Sequence, residues 1–466
     1  MISLPGLNLS SQPAQAQSVP AEAVTRTQDL AANTEYRFEV GFSRTLTVKL
    51  QSGTAELFGT ELAPSTTYSF TGTNGAIFTW HGCKLDVGGD VESDYVAEET
   101  PMMSFANLHF ALENLRDRSI ASGSTEMGPR VLIVGPDNSG KTSLVKTLTA
   151  YAVKTDRQPM VVNLDPRQGM LSVPGSFSAA AFSSIVDMEE GWGSSSITGP
   201  SPVPVKMPLV YHYGLKDPEE GRTFKSLVTR MALAVTSRLE EDKPSKQAGF
   251  IIDSSGAISQ GKNGVYDSIE HIVSEFSVNV LITLGSERLY SDLSRKFNAR
   301  TTDPSESVSV LRLDKSGGCV ARSEDYMRSL RHAQIKEYFF GRGDEPLAPS
   351  SQTADVADLH VFRIVEPDPS GSYTTVDEYG ISVEKPLFEP VKVDERMQNQ
   401  ILAITTAGPK DSQDVIRDAS VRGYIYVASV DEARRKVKLL SPLPGGTLDT
   451  ALVVGSWPEP VEGLVG

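Results

Sequence analysis

Residues 130–148 read RVLIVGPDNSGKTSLVKTL. Four apolar residues of β-former character, Val131 to Val134, lead into Gly135-Pro-Asp-Asn-Ser-Gly-Lys-Thr-Ser143, and a helix-forming run follows. Gly135-x-x-x-x-Gly140-Lys141-Thr142 is the P-loop pattern, and each part has a physical task. The glycines allow backbone angles that turn successive N–H groups onto phosphate oxygens. The helix adds its positive N-terminal end. Lys141 brings a point charge to the β/γ-phosphates, and the Thr142 hydroxyl suits Mg²⁺. The same residues serve a protein that grips a nucleotide and one that transfers its phosphate.

Working outward, strands alternate with helices from Pro129 to about residue 340. RVLIV, PMVVNL, AGFIID, VNVLITL and VSVLRL are the strands, with amphipathic helical stretches between them. Near-continuous apolar strands between such helices predict a parallel sheet covered on both faces. Before it, residues 35–108 alternate in short runs such as YRFEVGF and LTVKLQ, which predicts a small β-sandwich. FANLHFALENLRDRSI then has helical spacing. After Gly341 the chain returns to short strands. The expected fold class is therefore α/β: a central P-loop NTPase-like parallel sheet between an N-terminal β-sandwich-like domain and a C-terminal β-rich domain. The expected divisions are a disordered tail over 1–25, an N-terminal domain over 26–112, a central domain over 113–340 and a C-terminal domain over 341–466. FTWHGCKL (78–85) reads as one strand, and the stretches at 191–208 and 367–381 read as surface loops.

Composition narrows the classes. No run of about 18 apolar residues occurs, so no membrane partner is expected. The first 23 residues lack Lys and Arg and do not read as a signal peptide. The two cysteines, Cys83 and Cys319, are far apart and read as reduced thiols of an intracellular protein. A net charge of −15 argues against a general nucleic-acid coat protein, although RNA contact in one locally basic groove stays open. No Asn-Lys-x-Asp stretch of a guanine-reading switch is present.

Asp165, in VVNLDPRQG, stands at the carboxyl end of a strand expected beside the P-loop strand, the edge where such sheets bind ligands. A carboxylate there binds Mg²⁺ through water or takes a proton from an incoming hydroxyl. The plain alternative is a turn cap in an Asp-Pro turn. Gln168 either orients an attacking group or is an ordinary loop residue. Arg288 and Arg295 lie seven residues apart on one predicted helix face. They make either a lid over phosphates or a surface ladder with Asp292 between them.

Eight blocks in order resemble the Clp-type cleavage and polyadenylation factors, relatives of polynucleotide 5′-hydroxyl kinases: ELFGTEL (56–62), FTWHGC (78–83), GPDNSGKTSLVKTL (135–148), NLDPRQGMLSVPG (163–175), MPLVYHYG (207–214), ERLYSDL (287–293), KSGGCVARS (315–323) and IKEYFFG (335–341). The Asp-Pro after NL is closer to the fungal branch. The resemblance implies ATP and Mg²⁺ as ligands. It puts Glu35, and Asn74 at a position commonly basic in the family, at the adenine. It puts Asp137, Asn138, Ser139, Gly140, Lys141, Thr142 and Ser143 on the phosphates, with Thr142 and Asp165 at the metal. Lys141, Asp165, Arg288 and Arg295 become the catalytic set of an active kinase, Arg288 and Arg295 forming its lid. Where kinase-active relatives have a Trp that stacks an RNA base, IDSSGAIS puts Ala257, and such stacking is worth about 1–3 kcal/mol. The resemblance also implies a nuclear location. The implied partners are the scaffold subunit of the pre-mRNA cleavage factor that binds the RNA polymerase II C-terminal tail, further cleavage-factor subunits, and RNA. The expected function is an ATP-binding subunit for mRNA 3′-end cleavage and polyadenylation, with the ATP held structurally. The alternative is an active 5′-hydroxyl kinase.

Overall fold

A computed structural model describes residues 25–192, 208–218, 221–261, 264–298, 307–342, 345–368, 372–376, 382–442 and 449–464. All but the last residue of the tail expected over 1–25 and most of the loop at 191–208 lie outside these residues, as do parts of the loop at 367–381.

The N-terminal unit has nine strands: β1 (Arg26–Leu30), β2 (Thr34–Glu39), β3 (Leu46–Gly53), β4 (Glu56–Leu57), β5 (Thr60–Glu61), β6 (Thr67–Phe70), β7 (Asn74–Thr79), β8 (Cys83–Gly89) and β9 (Ser93–Ala97). They form two sheets, ordered β1-β8-β3-β6 and β5-β4-β7-β2-β9. Alternation explains the sandwich: Leu46, Val48 and Leu50 of β3 point inward with Tyr36, Phe38, Ile77 and Leu85, while Thr47 and Lys49 of β3 are only half-buried. FTWHGCKL is not one strand. β7 stops at Thr79, whose Oγ1 accepts from Gly82 N–H at 2.9 Å, and the bend carries the chain to β8 in the other sheet.

Helix α1 (Met102–Ala121) runs straight through the division expected between 112 and 113. Its buried face packs on the central domain, where fully buried Arg116 donates through Nε to Ala248 O at 3.0 Å and holds Glu113. The central elements are β10 (Arg130–Val134), α2 (Lys141–Lys154), β11 (Met160–Leu164), β12 (Ser176–Ala181), β13 (Leu209–His212), α3 (Phe224–Glu241), α4 (Lys243–Ala248), β14 (Phe250–Ser254), α5 (Asp267–Glu275), β15 (Val280–Leu284), α6 (Glu287–Asn298), β16 (Ser309–Leu313) and α7 (Glu324–Phe340). The strand order is β13-β12-β11-β14-β10-β15-β16.

Two expectations are corrected here. The sheet is mixed: β11, β14, β10, β15 and β16 are parallel, but β12 pairs antiparallel with β11 and with β13. No helix separates β11 from β12, so the chain returns without the crossover that a parallel pair needs. Moreover, β11 is not beside the P-loop strand, because β14 lies between β11 and β10. Both faces are covered: Val131 and Ile133 of β10 join the core under α1 and α2, and Leu132 and Val134 join the core under α3, α5 and α7.

The C-terminal strands are β17 (Gly341–Arg342), β18 (Glu345–Pro346), β19 (Ser350–Asp355), β20 (Val361–Ile364), β21 (Thr374–Val376), β22 (Ser382–Glu384), β23 (Phe388–Val391), β24 (Ile401–Thr405), β25 (Val421–Asp431), β26 (Lys436–Ser441) and β27 (Leu452–Val454), with helix α8 (Gln413–Asp418). Seven of them form one sheet, β19-β26-β25-β24-β27-β20-β23. Tyr424, Tyr426, Ile401 and Val453 join Tyr338 and Phe339 of α7 in the central core. Tyr424 N–H also donates to Tyr338 Oη at 3.1 Å. The C-terminal domain is thus packed on the central one.

Candidate nucleotide cleft

A cavity of about 900 Å³ opens between the N-terminal sandwich and the carboxyl edge of the central sheet. The P-loop forms its floor. Asn138 and Gly140 have φ of 55° and 93°, and a Cβ on Gly140 would stand 2.9 Å from Cys319 Sγ, so glycine is required there. Lys141 is 8 % exposed, and its Nζ donates to Gly135 O at 3.0 Å and Pro136 O at 2.9 Å. Burial lowers its pKa, against the pull of Asp253, Asp165 and Asp137.

Asp253 was not singled out by its sequence context. It ends a run of buried apolar strand residues in β14, beside β10, and its Oδ2 accepts from Thr142 Oγ1 at 2.6 Å. Burial pushes its carboxyl up to about 6. Among the described residues, Asp253 Oδ1 and the 1 % exposed Ser139 Oγ have no hydrogen-bond partner. Buried polar atoms are normally satisfied. Two such oxygens flanking Lys141 and Thr142 fit a ligand that brings a cation and hydrogen-bonding oxygens.

Asp165 also lines the cleft, and burial is the main force raising its pKa. Its Oδ1 accepts Arg167 N–H at 3.0 Å, and its own N–H donates to Asn163 Oδ1 at 3.0 Å. The turn cap and the cleft position both hold. Gln168 lines the cleft as well.

The upper wall comes from the sandwich. Glu35 is 3 % exposed; its Oε2 accepts from Arg37 Nε at 2.8 Å, and its Oε1 accepts from Thr100 Oγ1. Arg37 continues to Glu99 Oε2 at 2.9 Å and Ser316 Oγ at 3.2 Å, which joins the sandwich to the loop after β16. Asn74 Oδ1 accepts from Tyr326 Oη at 3.4 Å.

Arg288 and Arg295 are not part of this cavity wall. Their side chains are 80 % and 76 % exposed, each within 4 Å of Asp292, at 3.9 and 3.7 Å. That is the surface ladder: α6 turns this face to solvent and buries Leu289, Leu293 and Phe297. The guanidinium groups on the cleft, besides Arg37, are Arg167, Arg322, Arg331 and Arg342. Arg167 donates to Asp137 Oδ2 at 2.8 Å, and Arg322 Nε donates to Asn138 Oδ1 at 3.4 Å. Both lie inside blocks NLDPRQG and KSGGCVARS, so a basic residue within a quoted motif was the available signal. Ala257 lies in the short 3₁₀ turn after β14 (Gly256–Ser259) and offers no ring for stacking.

A family model described as the P-loop of mRNA cleavage and polyadenylation factor CLP1 matches residues 135–341. Models for the N-terminal β-sandwich domain of polyadenylation factor and for the pre-mRNA cleavage complex II protein Clp1 match residues 29–119 and 347–459. The mRNA cleavage and polyadenylation factor CLP1 of Phaeosphaeria nodorum is 74% identical over 471 residues, covering 100% of both chains.

The chain belongs to the CLP1 family of mRNA cleavage and polyadenylation factors.

The CLP1-family relative of Botryotinia fuckeliana is 52% identical over 466 residues, again covering 100% of both chains. Two solved structures share the fold at a TM-score of 0.82 and 28% identity, covering 94% of this chain. One is the wild-type Clp1p–Pcf11p complex, of which 98% of the matched chain is covered. The other, covered to 99%, is described by its extended Pcf11p–Clp1p interface and by ATP loss in a glycine-to-arginine point mutant.

Among the described residues no helix is long and apolar enough to cross a membrane, and no cluster of three or more His, Cys, Asp or Glu side chains has metal-site form. Cys83 and Cys319 are both free.

Proposed function

We propose that this chain holds ATP with Mg²⁺ in the interdomain cleft, as the ATP-binding subunit of the nuclear pre-mRNA cleavage factor. The observation that carries the reading is the Thr142–Asp253 pair beneath the P-loop, with Asp253 Oδ1 and Ser139 Oγ unpaired beside it. Asp137 through Ser143 hold the phosphates, and Glu35 and Asn74 stand at the adenine end. Thr142 and Asp253 hold the metal, with Asp165 close to it in the same cleft. Mg²⁺, when bound, neutralises phosphate charge. Lys141 adds a second fixed cation, and the sandwich excludes water from above.

ATP held between two domains stabilises the form that partners recognise. At 100 times its dissociation constant a ligand adds about 2.7 kcal/mol. The relative solved with Pcf11p supports assembly of this chain with its own scaffold subunit, the one that binds the polymerase tail, and so with the other cleavage-factor subunits. Ala257 in place of a stacking aromatic favours a structural ATP over transfer to RNA. The test is to extract and identify nucleotide from the purified protein. ATP is expected in near-stoichiometric amount and lost in Lys141→Ala. Nucleotide-free protein whose partner assembly is unaffected by Lys141→Ala overturns the reading.

One observation favours the second reading, a 5′-hydroxyl kinase: Asp165 lies in the cleft, where burial raises the pKa of its carboxyl. Arg288 and Arg295 would then have to swing in from the α6 surface. Phosphate transfer from labelled ATP to 5′-hydroxyl RNA, above a Lys141→Ala, Asp165→Asn double variant, is the result this reading requires.

A further inference from the structure

The Asp165–Gly175 loop is braced from two sides by elements outside the P-loop core. On α7, Gln334 makes a two-bond ring with Gly169: Gly169 N–H donates to Oε1 at 3.2 Å, and Nε2 donates to Gly169 O at 3.1 Å. From the C-terminal domain, Trp457 Nε1 donates to Pro166 O at 3.0 Å. The backbone of Trp457 is anchored as well, its N–H donating to Gly214 O at 3.1 Å.

The indole has little freedom to leave. Arg331 and Lys216 approach its ring, with the guanidinium carbon 4.4 Å and the ammonium nitrogen 5.2 Å from the centroid. Arg331 is only 2 % exposed and is itself fixed by Glu459, at 2.6 Å, and by Glu324, at 3.0 Å. The loop in turn reaches the phosphate cradle. Arg167, next to Pro166, bonds Asp137 Oδ2 at 2.8 Å and also grips Asp217. Trp457, Arg167 and Asp137 all line the cleft.

We propose that Trp457 is a positioning residue of the nucleotide site. By fixing Pro166 it sets Arg167 against Asp137 of the P-loop, and this makes the C-terminal domain part of the nucleotide-binding unit. The inference rests on the ATP reading above. Its route is specific: indole N–H, Pro166 carbonyl, Arg167 guanidinium, Asp137 carboxylate. Pro166 O also accepts Gly175 N–H at 2.8 Å, so removing the indole N–H does not leave that carbonyl unpaired. The loss therefore falls on the restraint of the loop more than on the fold.

The test is a double-mutant cycle in the full chain with Trp457→Phe and Arg167→Gln, reading ATP affinity by calorimetry and backbone exchange of residues 167–173 by mass spectrometry. Trp457→Phe is expected to weaken ATP binding about tenfold, in line with loss of one well-formed hydrogen bond. Arg167→Gln should weaken it similarly, and the double variant no further than the worse single one. Exchange over 167–173 should rise in Trp457→Phe without ATP. Unchanged affinity in Trp457→Phe, or losses that multiply in the double variant, overturn the coupling alone. Wild-type protein that binds no ATP overturns the coupling together with the ATP reading. If Trp457→Phe does not fold, Glu459→Gln takes its place in the cycle, because it removes one of the two carboxylates that hold Arg331 over the ring, with the same non-additive result expected.

Discussion

Thr142 Oγ1 and Asp253 Oδ2 meet at 2.6 Å, which ties the first turn of the P-loop helix α2 to the carboxyl end of β14. This one bond satisfies half of a buried carboxylate and leaves Oδ1 without a partner.

Asp253→Asn is expected to stabilise the ligand-free protein at neutral pH while weakening Mg²⁺-dependent ATP binding. The Asp253 carboxyl is pushed from 3.8 up to about 6 by burial. The native state therefore binds the extra proton between those values, and its stability falls as pH rises through that window. The full cost, about 3 kcal/mol, is present above pH 6 and absent below 3.8. Asparagine keeps an acceptor for Thr142 and has no charge to bury. Denaturant unfolding at pH 7.5 should show Asp253→Asn roughly 1–3 kcal/mol more stable than wild type, with the difference shrinking by pH 4.5. Equal stability at both pH values would mean that Lys141 already compensates the charge.

Arg37→Ala is expected to cost about 3 kcal/mol, the scale of breaking a buried pair from one side. Arg37 is 6 % exposed and holds the 3 % exposed Glu35, the Glu99 carboxylate and Ser316. Its removal leaves Glu35 with only Thr100 and unties the sandwich from the loop after β16. Arg37→Lys should recover little, because one ammonium cannot reproduce the separate Nε and Nη2 bonds. Thermal unfolding of the three proteins checks this, and a full rescue by lysine would show that charge alone matters.

The part of this site that was legible in the sequence is the part built from neighbours in the chain. The glycine spacing, the strand before it and the helix after it mark the P-loop, since phosphate-cradle geometry is local. Asp253 was missed because its partner Thr142 is 111 residues away and the contact depends on β14 lying beside β10. Strand order is a tertiary property that periodicity does not report, which also explains why β11 was expected next to the P-loop strand. SFSAAA of β12 has small residues and little β-branched character, so the antiparallel edge gave no pattern. Arg288 and Arg295 share a helix face, but whether that face meets the cleft is settled by the apolar stripe on the opposite side, Leu289, Leu293 and Phe297.

Gly140→Ala is expected to lower stability by about 1–3 kcal/mol and to abolish ATP binding. The backbone has φ of 93°, a region that costs any residue with a Cβ, and the new methyl would meet Cys319 Sγ at 2.9 Å. Adding Cys319→Ala relieves the contact and leaves the backbone strain. The double variant should therefore recover part of the stability. Nucleotide extraction and thermal unfolding of single and double variants separate the two contributions, and full recovery in the double variant would assign the whole effect to the sulfur contact.

His212 should make the domain junction acid-sensitive. It ends β13 with both ring nitrogens lacking hydrogen-bond partners among the described residues, and its ring packs edge-on against Tyr424, 5.8 Å between centroids. Burial lowers its pKa from 6.5 to about 4. Arg417, held by Asp414 and Asp418, lines the same small cavity, so those carboxylates are already engaged. Between pH 6.5 and 4 the unfolded chain takes up a proton that the native state refuses. The stability is thus fully present above 6.5 and is lost as pH falls towards 4, by about 3 kcal/mol. This runs opposite to the Asp253 effect over an overlapping range, so wild-type curves alone underreport both. Comparison with His212→Leu isolates it: the variant should lose roughly 2–3 kcal/mol less than wild type between pH 7 and pH 4. A parallel acid dependence in the two proteins would show that His212 gains a partner when protonated.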